Sequence, residues 1–476
     1  MDTQSRRAFR ALLFFLCSFS TLFAYSLPRG THDTELNDEE ITARLEHLSQ
    51  HIVEARFVPA VKGYIRSYTI RNRKSAQIIL GRTVLYFPIF EAYLKQYNLP
   101  EELKYLSIVE SALNPKAVSR VGAGGLWQFM PATATELGLR VSKEIDERSD
   151  PFKATEAAMV HLQRQYDRFD DWSLALAAYN SGSGRVSRAI KRARSKNFWR
   201  IQRYLPRETR NYVPAFIAAT YLVDFYDEHE LKPEYPDLDL QITETVNVHD
   251  SLSFEQLEQL TELQPEVIEW LNPAYIKGYI PADEQGNSLT LPRRVMPVVR
   301  EYLESLRPDS KGNLSAKVDL TLPKTATRYY KSNYLVLEGK TLADIAKELK
   351  CTVHQLRAWN KLKTDKVEPG QKLTIFTPRP FEQKFPIARM EQVAPLPADD
   401  LPPIPNDNLQ RLSLNALQPE TVYFTAKRRI RLSAIADRFP GISLDLLLQL
   451  NDLEKDKVIK PGEQIILDTR LFEDNN

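Results

Sequence analysis

The chain has 476 residues, 43% of them apolar, with 30 prolines and two cysteines. That length exceeds one ordinary domain, and the apolar content suffices for several hydrophobic cores. A net charge of +2 is too small for a nucleic-acid binder, and two cysteines exclude a disulfide framework.

Residues 1–26 read as a secretory signal: Arg6, Arg7 and Arg10 precede an apolar run over 11–23 that is short for a membrane span. Cleavage is expected after Ser26, with Ala24 at the minus-three position, or in competition after Ala24 itself. The mature chain would then keep only Cys351, a small apolar filler. Residues 27–86 read as an N-terminal helical segment. His47 and His51 stand at i and i+4 but lack a third ligand, so they read as an exposed helix face, and no metal is expected.

The next stretch isolates one carboxylate in apolar company. Pro100, Glu101 and Glu102 predict a helix start, and Leu103, Leu106, Val109 and Leu113 recur at helical spacing. Pro115 pushes Asn114 out of helical geometry and ends the helix. Glu110 falls in the last turn, where the negative end of the helix dipole and the neighbours Leu106 and Leu113 both oppose ionisation. A carboxyl kept protonated near neutral pH can donate a proton to a leaving oxygen. Gly122, Gly124 and Gly125 then permit close backbone approach to a ligand, and Pro131 opens a further helix that Gly138 closes, forming a cleft wall. Ordinary glycosidases flank the scissile bond with two carboxyl groups. Between Glu110 and Asp146 the acids are Glu136 and Glu144, neither in a cleft motif, while Asp170 and Asp171 stay open as sequence-distant partners. The glycine-rich stretches 122–125 and 181–184 lack the Lys-Ser/Thr of a phosphate loop, so no nucleotide or other cofactor is expected. Residues 185–210 hold ten Lys or Arg against Glu208 alone; this is a solvated helical face or a contact for an anionic polymer or an anionic membrane surface.

Four pieces in order, Glu110-Ser-Ala-Leu-Asn-Pro115, Gly124-Gly-Leu-Trp-Gln-Phe-Met-Pro131, Ala178-Tyr-Asn-Ser-Gly182 and Glu208-Thr-Arg-Asn-Tyr-Val213, resemble the motifs of the soluble lytic transglycosylase domain. The resemblance covers about residues 87–226, within a domain expected over 87–230. It implies a lysozyme-like, mostly helical catalytic domain that cuts the β-1,4 bond between N-acetylmuramic acid and N-acetylglucosamine and leaves 1,6-anhydromuramic ends. It makes Glu110 the acid/base, lines the saccharide cleft with Ser119, Gln128, Met130, Tyr179, Asn180 and Tyr212, and brings the Tyr212 hydroxyl to the catalytic carboxyl. A hydrolytic muramidase and a non-catalytic peptidoglycan-binding scaffold are the alternatives. Many relatives of this architecture are outer-membrane lipoproteins, but Leu16 stands before Cys17 where lipidation wants a small residue, so a protein exported to the periplasm or the periplasmic face of the outer membrane is expected without lipid.

The C-terminal part repeats itself. Tyr334, Leu342, Ile345-Ala346, Leu356, Trp359-Asn360, Val367 and Pro369-Gly370 parallel Tyr423, Leu432, Ile435-Ala436, Leu447, Leu450-Asn451, Val458 and Pro461-Gly462. Each unit, over 331–377 and 420–469, reads strand, helix, helix, strand and is similar to the LysM module. The resemblance implies glycan binding in a groove between the first strand-to-helix loop and the second helix-to-strand loop, with Gly339, Lys340, Thr341, Lys361 and Lys363 as candidates. The second unit has Lys427, Arg428, Arg429 and Arg431 where the family has Gly and an acid, which puts its binding in doubt. Residues 240–295, with Leu271-Asn272-Pro273, offer a third, degenerate copy. Eight prolines between 378 and 405 make 378–418 an extended linker, so the modules are expected to act as tethered units. The whole is multidomain: a mostly α lysozyme-like domain followed by small α+β (βααβ) modules.

Overall fold

The computed structural model describes residues 37–48, 52–306, 324–381 and 383, and in the C-terminal part 421–425, 429–436, 444–451, 453, 457–460 and 463–469. The expected signal segment with Cys17, and most of the proline-rich linker, lie outside the described residues. Residues 1–384 and 385–476 form separate compact units.

The first unit starts with α1 (Asp38–Leu48), α2 (Pro59–Arg66) and the long α3 (Arg73–Gln96). α3 buries Ala76, Ile79, Leu80, Val84, Phe87, Phe90 and Leu94 along one helical stripe. It crosses the boundary at 86/87 that the resemblance suggests, so the N-terminal helices are built into the catalytic core. Gly81 is required on this helix because a Cβ there would overlap the Glu234 carbonyl where the chain crosses back. There follow α4 (Leu106–Ser111), α5 (Pro131–Glu136), α6 (Pro151–Phe169), α7 (Trp172–Ser181), α8 (Ser183–Ala193), α9 (Phe198–Ile201) and α10 (Arg207–Asp224). The core joins Phe90, Trp127, Leu162, Leu176, Phe216 and Tyr221, with the Phe90 and Trp127 ring centroids 4.9 Å apart.

The helix expected from Pro100 to Asn114 is shorter and of two kinds. A 3-10 turn, Glu101–Tyr105, precedes α4, and Ala112 and Leu113 both adopt left-handed backbone, φ 53° and 57°. The helix therefore stops before the residues that Pro115 restricts. Leu113 is fully buried, and the two left-handed residues turn it inward.

After the short α11 (Leu238–Gln241), β1 (Thr243–Val248) pairs antiparallel with β4 (Asn287–Pro292), and β2 (Leu252–Ser253) with β3 (Tyr279–Ile280). α12 (Phe254–Thr261) and α13 (Pro265–Leu271) pack on this ribbon around Leu257, Ile268, Leu289 and Leu291, and α14 (Met296–Ser305) closes the core. In the next unit β5 (Tyr330–Leu335) pairs with β6 (Lys372–Thr377) over α15 (Leu342–Leu349) and α16 (Val353–Asn360). One device recurs in both. Asn272 donates to the carbonyls of Ile268 and Thr290 and accepts from the Thr290 amide. Asn360 does the same with Leu356 and Thr374. The repeated asparagine thus ties the second helix to the last strand, a structural and not a glycan-contacting role.

The 331–377 module is not tethered, which corrects the expectation for it. The His354 ring meets Phe87 edge-on at 6.3 Å and its Nε2 lies 3.4 Å from Glu91, both on α3. Gln355 Nε2 donates to the Gln241 carbonyl at 2.5 Å, Trp359 Nε1 donates to Gln241 Oε1 at 2.9 Å, and Lys363 pairs with Asp227 at 2.7 Å. The proline-rich stretch begins after this module, so it cannot loosen it. In the second unit β7 (Thr421–Thr425) pairs with β10 (Gln464–Thr469) and β8 (Ile430–Arg431) with β9 (Val458–Ile459), with Leu432, Ile435, Leu447, Ile459 and Ile465 buried.

Candidate catalytic site

Glu110 projects from α4 against α10, where the Tyr212 hydroxyl donates to its Oε1. Burial is the main influence on its carboxyl and pushes the pKa up to about 8; the Tyr212 hydrogen bond pulls it down, and the charge of Glu208 raises it further. The Tyr212 and Tyr179 hydroxyls are held well above their ordinary value, by burial first and then by the neighbouring carboxylate. Both therefore stay protonated and act as donors. The arrangement is a neutral carboxylic acid near neutral pH with a permanent hydrogen-bond donor to steady its conjugate base.

The glycine-rich wall is bonded to the acid's helix. Ser107 and Ser111 on α4 each donate to the Leu126 carbonyl at 2.9 Å. Tyr179 donates to the Trp127 carbonyl at 2.8 Å, and Trp127 Nε1 to Thr155 at 3.0 Å. Gly124 and Phe129 exchange backbone hydrogen bonds, and a Cβ at Gly125, φ 79°, would overlap the Arg148 carbonyl. Gln128 is left-handed at φ 49°, and its Nε2 donates to Ala117 and Gly125 carbonyls. The Ser119 hydroxyl accepts from the Ala123 amide, while Met130 stands 42% exposed at the head of α5. Asn180, at the end of α7, accepts from Thr209 at the start of α10 at 2.8 Å. Glu110, Tyr179 and Tyr212 are in mutual electrostatic reach, and Ser119 and Gln128 sit on the wall that α4 and Tyr179 hold.

The other acids are occupied elsewhere. Glu136 is 3.8 Å from Arg164, Glu144 accepts from Tyr279, and Asp146 clasps Arg148. Asp170 ends α6 in left-handed geometry, and Asp171 caps α7 by accepting from Leu174. The carboxylate that does influence Glu110 is Glu208, in the first turn of α10. Its motif is visible in the sequence, but nothing in the spacing brings it to residue 110.

Two arginines also escaped sequence reasoning. Arg148, 8% exposed in its side chain, is bidentate on Asp146 and donates to the Gly122 carbonyl at 2.6 Å and the Phe129 carbonyl at 3.0 Å. Arg82 on α3 donates to the Ala112 carbonyl at 3.1 Å, on the turn that ends the acid's helix. No local pattern marks either.

In the 331–377 module, Thr341 and Asp344 form a capping box for α15, Lys340 pairs with Glu348 at 3.3 Å, and Lys363 is bound to Asp227. Gly339 takes φ 73° and Lys361 ends α16 in left-handed geometry. Burial pushes the Cys351 thiol up to about 12, consistent with a filler. Arg188, Lys191, Arg192, Arg194, Lys196, Arg200, Arg203 and Arg207 form an exposed basic surface from α8 to the start of α10.

Three family models match the chain. The transglycosylase SLT domain matches residues 87–202, the LysM-like domain of lytic transglycosylase MltD residues 242–308, and the LysM domain residues 334–376 and 432–468. Membrane-bound lytic murein transglycosylase D of Escherichia coli K12 is 32% identical over 311 residues, 64% of this chain and 66% of the relative, so the chain spans just under two thirds of that relative's length. The soluble lytic murein transglycosylase of the same organism is 35% identical over 107 residues, 21% of this chain and 17% of that one. The crystal structure of the 70 kDa soluble lytic transglycosylase of E. coli aligns with 30% of this chain and 24% of its own at 29% identity and a TM-score of 0.27. With the SLT, LysM-like and LysM models matched in that order along one polypeptide, the chain belongs to the MltD-type lytic transglycosylases.

Proposed function

We propose that the protein is a peptidoglycan lytic transglycosylase. It cleaves the β-1,4 bond between N-acetylmuramic acid and N-acetylglucosamine, forms 1,6-anhydromuramic ends, and is held on the wall by LysM modules. The observation that carries this reading is Glu110, a carboxyl kept protonated up to about pH 8 and bonded to Tyr212. The acids left open as a second catalytic group, Asp170 and Asp171, lie at helix ends.

In this reading Glu110 gives its proton to the glycosidic oxygen as the bond to C1 breaks, and the 2-acetamido oxygen of the muramic residue closes onto C1. Glu110, now a carboxylate steadied by Tyr212, takes the proton of the muramic 6-hydroxyl. That oxygen then attacks C1 and displaces the acetamido oxygen. Proton and electron pairs balance without water. Ser119, Gln128, Met130, Tyr179 and Asn180 are assigned to the saccharide cleft, supported by the bonding that connects their loop and helix ends to α4 and α10. Gly339 and Lys361 are the glycan-binding candidates of the first LysM module least committed to internal pairs. Export to the periplasm, with association at the outer membrane, is supported by the basic and apolar pattern of residues 1–23 and by the similarity to a membrane-bound lytic murein transglycosylase of E. coli. Among the described residues no helix is long and apolar enough to cross a membrane.

Digestion of purified sacculi tests the proposal. Mass spectrometry should find each released muropeptide one water lighter than a reducing product. A second reading, hydrolysis with Glu208 directing water, is favoured by the proximity of Glu208 to the acid; reducing muramic ends, lost in Glu208→Gln, would establish it.

A further inference from the structure

We propose that the LysM-like domain, residues 242–308, serves as a brace that positions the catalytic cleft, and that its second helix-to-strand loop takes a hairpin of the catalytic domain in place of glycan. Two independent arms reach the cleft. The first runs through Trp270 on α13. The Arg82 guanidinium lies over this ring, 5.3 Å from the centroid, and the indole nitrogen is buried beside the Tyr86 hydroxyl. Arg82 is thereby aimed at the Ala112 carbonyl, two residues beyond Glu110. Ala112 is left-handed and not glycine, a conformation that persists where its surroundings hold it.

The second arm is a backbone graft. Residues 141–146 of the catalytic domain form a small hairpin, and loop 272–286 adds to it. The Asp146 amide donates to the Ala274 carbonyl at 2.8 Å, the Ile276 amide donates to the Glu144 carbonyl at 3.0 Å, and Ile145 pairs with Tyr275. Arg140 fastens the edge through Asp283 at 2.9 Å and Asn287 at 2.7 Å. The hairpin ends on Asp146, which orients Arg148, and Arg148 holds the carbonyls of Gly122 and Phe129. Those carbonyls belong to the loop that carries Ser119 and Gln128. In a LysM module this helix-to-strand loop forms one side of the glycan groove; here its Ala274 carbonyl and Ile276 amide are already paired with the hairpin. Arg82 and Arg148 are positioning residues, acting on Glu110 and on the wall through backbone.

The consequence for turnover rests on the proposed lytic activity, and the test separates the two. In the full chain, Trp270→Ala, Trp270→Phe and Arg140→Ala are compared on short soluble glycan chains, and sacculus binding is measured for the same substitutions in a Glu110→Gln background. Hydrogen exchange of segment 106–116 in Trp270→Ala, and of 117–130 in Arg140→Ala, is followed by mass spectrometry. The expectation is a kcat lowered roughly tenfold or more by Trp270→Ala with KM changed less than about twofold, since displaced catalytic groups cost rate more than affinity. Trp270→Phe, which keeps a ring under the guanidinium, should recover most of the rate. Exchange of each segment should rise, and sacculus binding should not change. Unchanged kcat, weakened sacculus binding or unchanged exchange would overturn the brace. If the parent protein fails to cleave glycan, the proposed function falls, and the exchange measurement still decides whether the domain holds the cleft.

Discussion

Glu110→Gln should abolish cleavage and at the same time stabilise the fold, by an amount that depends on pH. The folded carboxyl titrates at about 8 against an ordinary 4.5. Below pH 4.5 both folded and unfolded chains carry the neutral acid, and its contribution to stability is fully present. As pH rises, the unfolded chain ionises and gains solvation that the buried site denies, so stability declines until the folded carboxyl itself ionises near pH 8. At 1.36 kcal/mol per pH unit, the interval from 4.5 to about 8 corresponds to about 5 kcal/mol, of which about 4 kcal/mol falls between pH 5 and pH 8. Glutamine keeps the shape and still accepts from Tyr212 but never ionises. Urea unfolding of the two proteins in parallel should therefore give nearly equal midpoints at pH 5 and a more stable glutamine variant at pH 8. A stability difference that stays constant across this range would refute the buried neutral acid, as would retained cleavage of sacculi by the variant.

Three further outcomes are expected. Tyr212→Phe removes the hydrogen bond that lowers the Glu110 pKa, so the alkaline fall of kcat/KM should move upward by about one pH unit while the maximum rate drops; a pH-rate profile shifted downward would contradict it. Arg148→Met takes the guanidinium away from the Asp146 carboxylate and from the Gly122 and Phe129 carbonyls and should cost about 3–5 kcal/mol in urea unfolding. Truncation after residue 384 should leave the thermal transition of the first unit unchanged and weaken sacculus binding only. Truncation after Lys331 should also lower Tm, because it uncovers Phe87, Glu91 and Gln241.

Local pattern gave Glu110 a buried setting, and the motif resemblance singled it out as the acid. Leu103, Leu106 and Leu113 recur at helical spacing, and that recurrence set the acid on a buried stripe before any partner was known. Tyr212 was different: it bonds Glu110 from 102 residues away, and only motif resemblance joined the two. Helix length was misjudged because Pro115 is a strong local signal, whereas the burial of Leu113 that stops the helix earlier depends on the assembled core. The docking of the first LysM module was hidden for another reason. Its own core is built from its own residues, and the contacts that fix it come from His354, Gln355, Trp359 and Lys363; of these, Trp359 reads as part of the repeat and Lys363 as a glycan-binding candidate, so neither points to the catalytic domain. Arg82 and Arg148 act on carbonyl groups, which every residue possesses, so no side-chain pattern announces the partner.

If the protein cleaves glycan as proposed, a LysM module packed on α3 through His354 makes it a ruler. A strand gripped by that module should then present to Glu110 a bond a fixed number of residues away, because His354, Gln355, Trp359 and Lys363 fix the module on the catalytic domain. Chain lengths among the products should then cluster around one value and its multiples, whereas a module on a slack leash would scatter them.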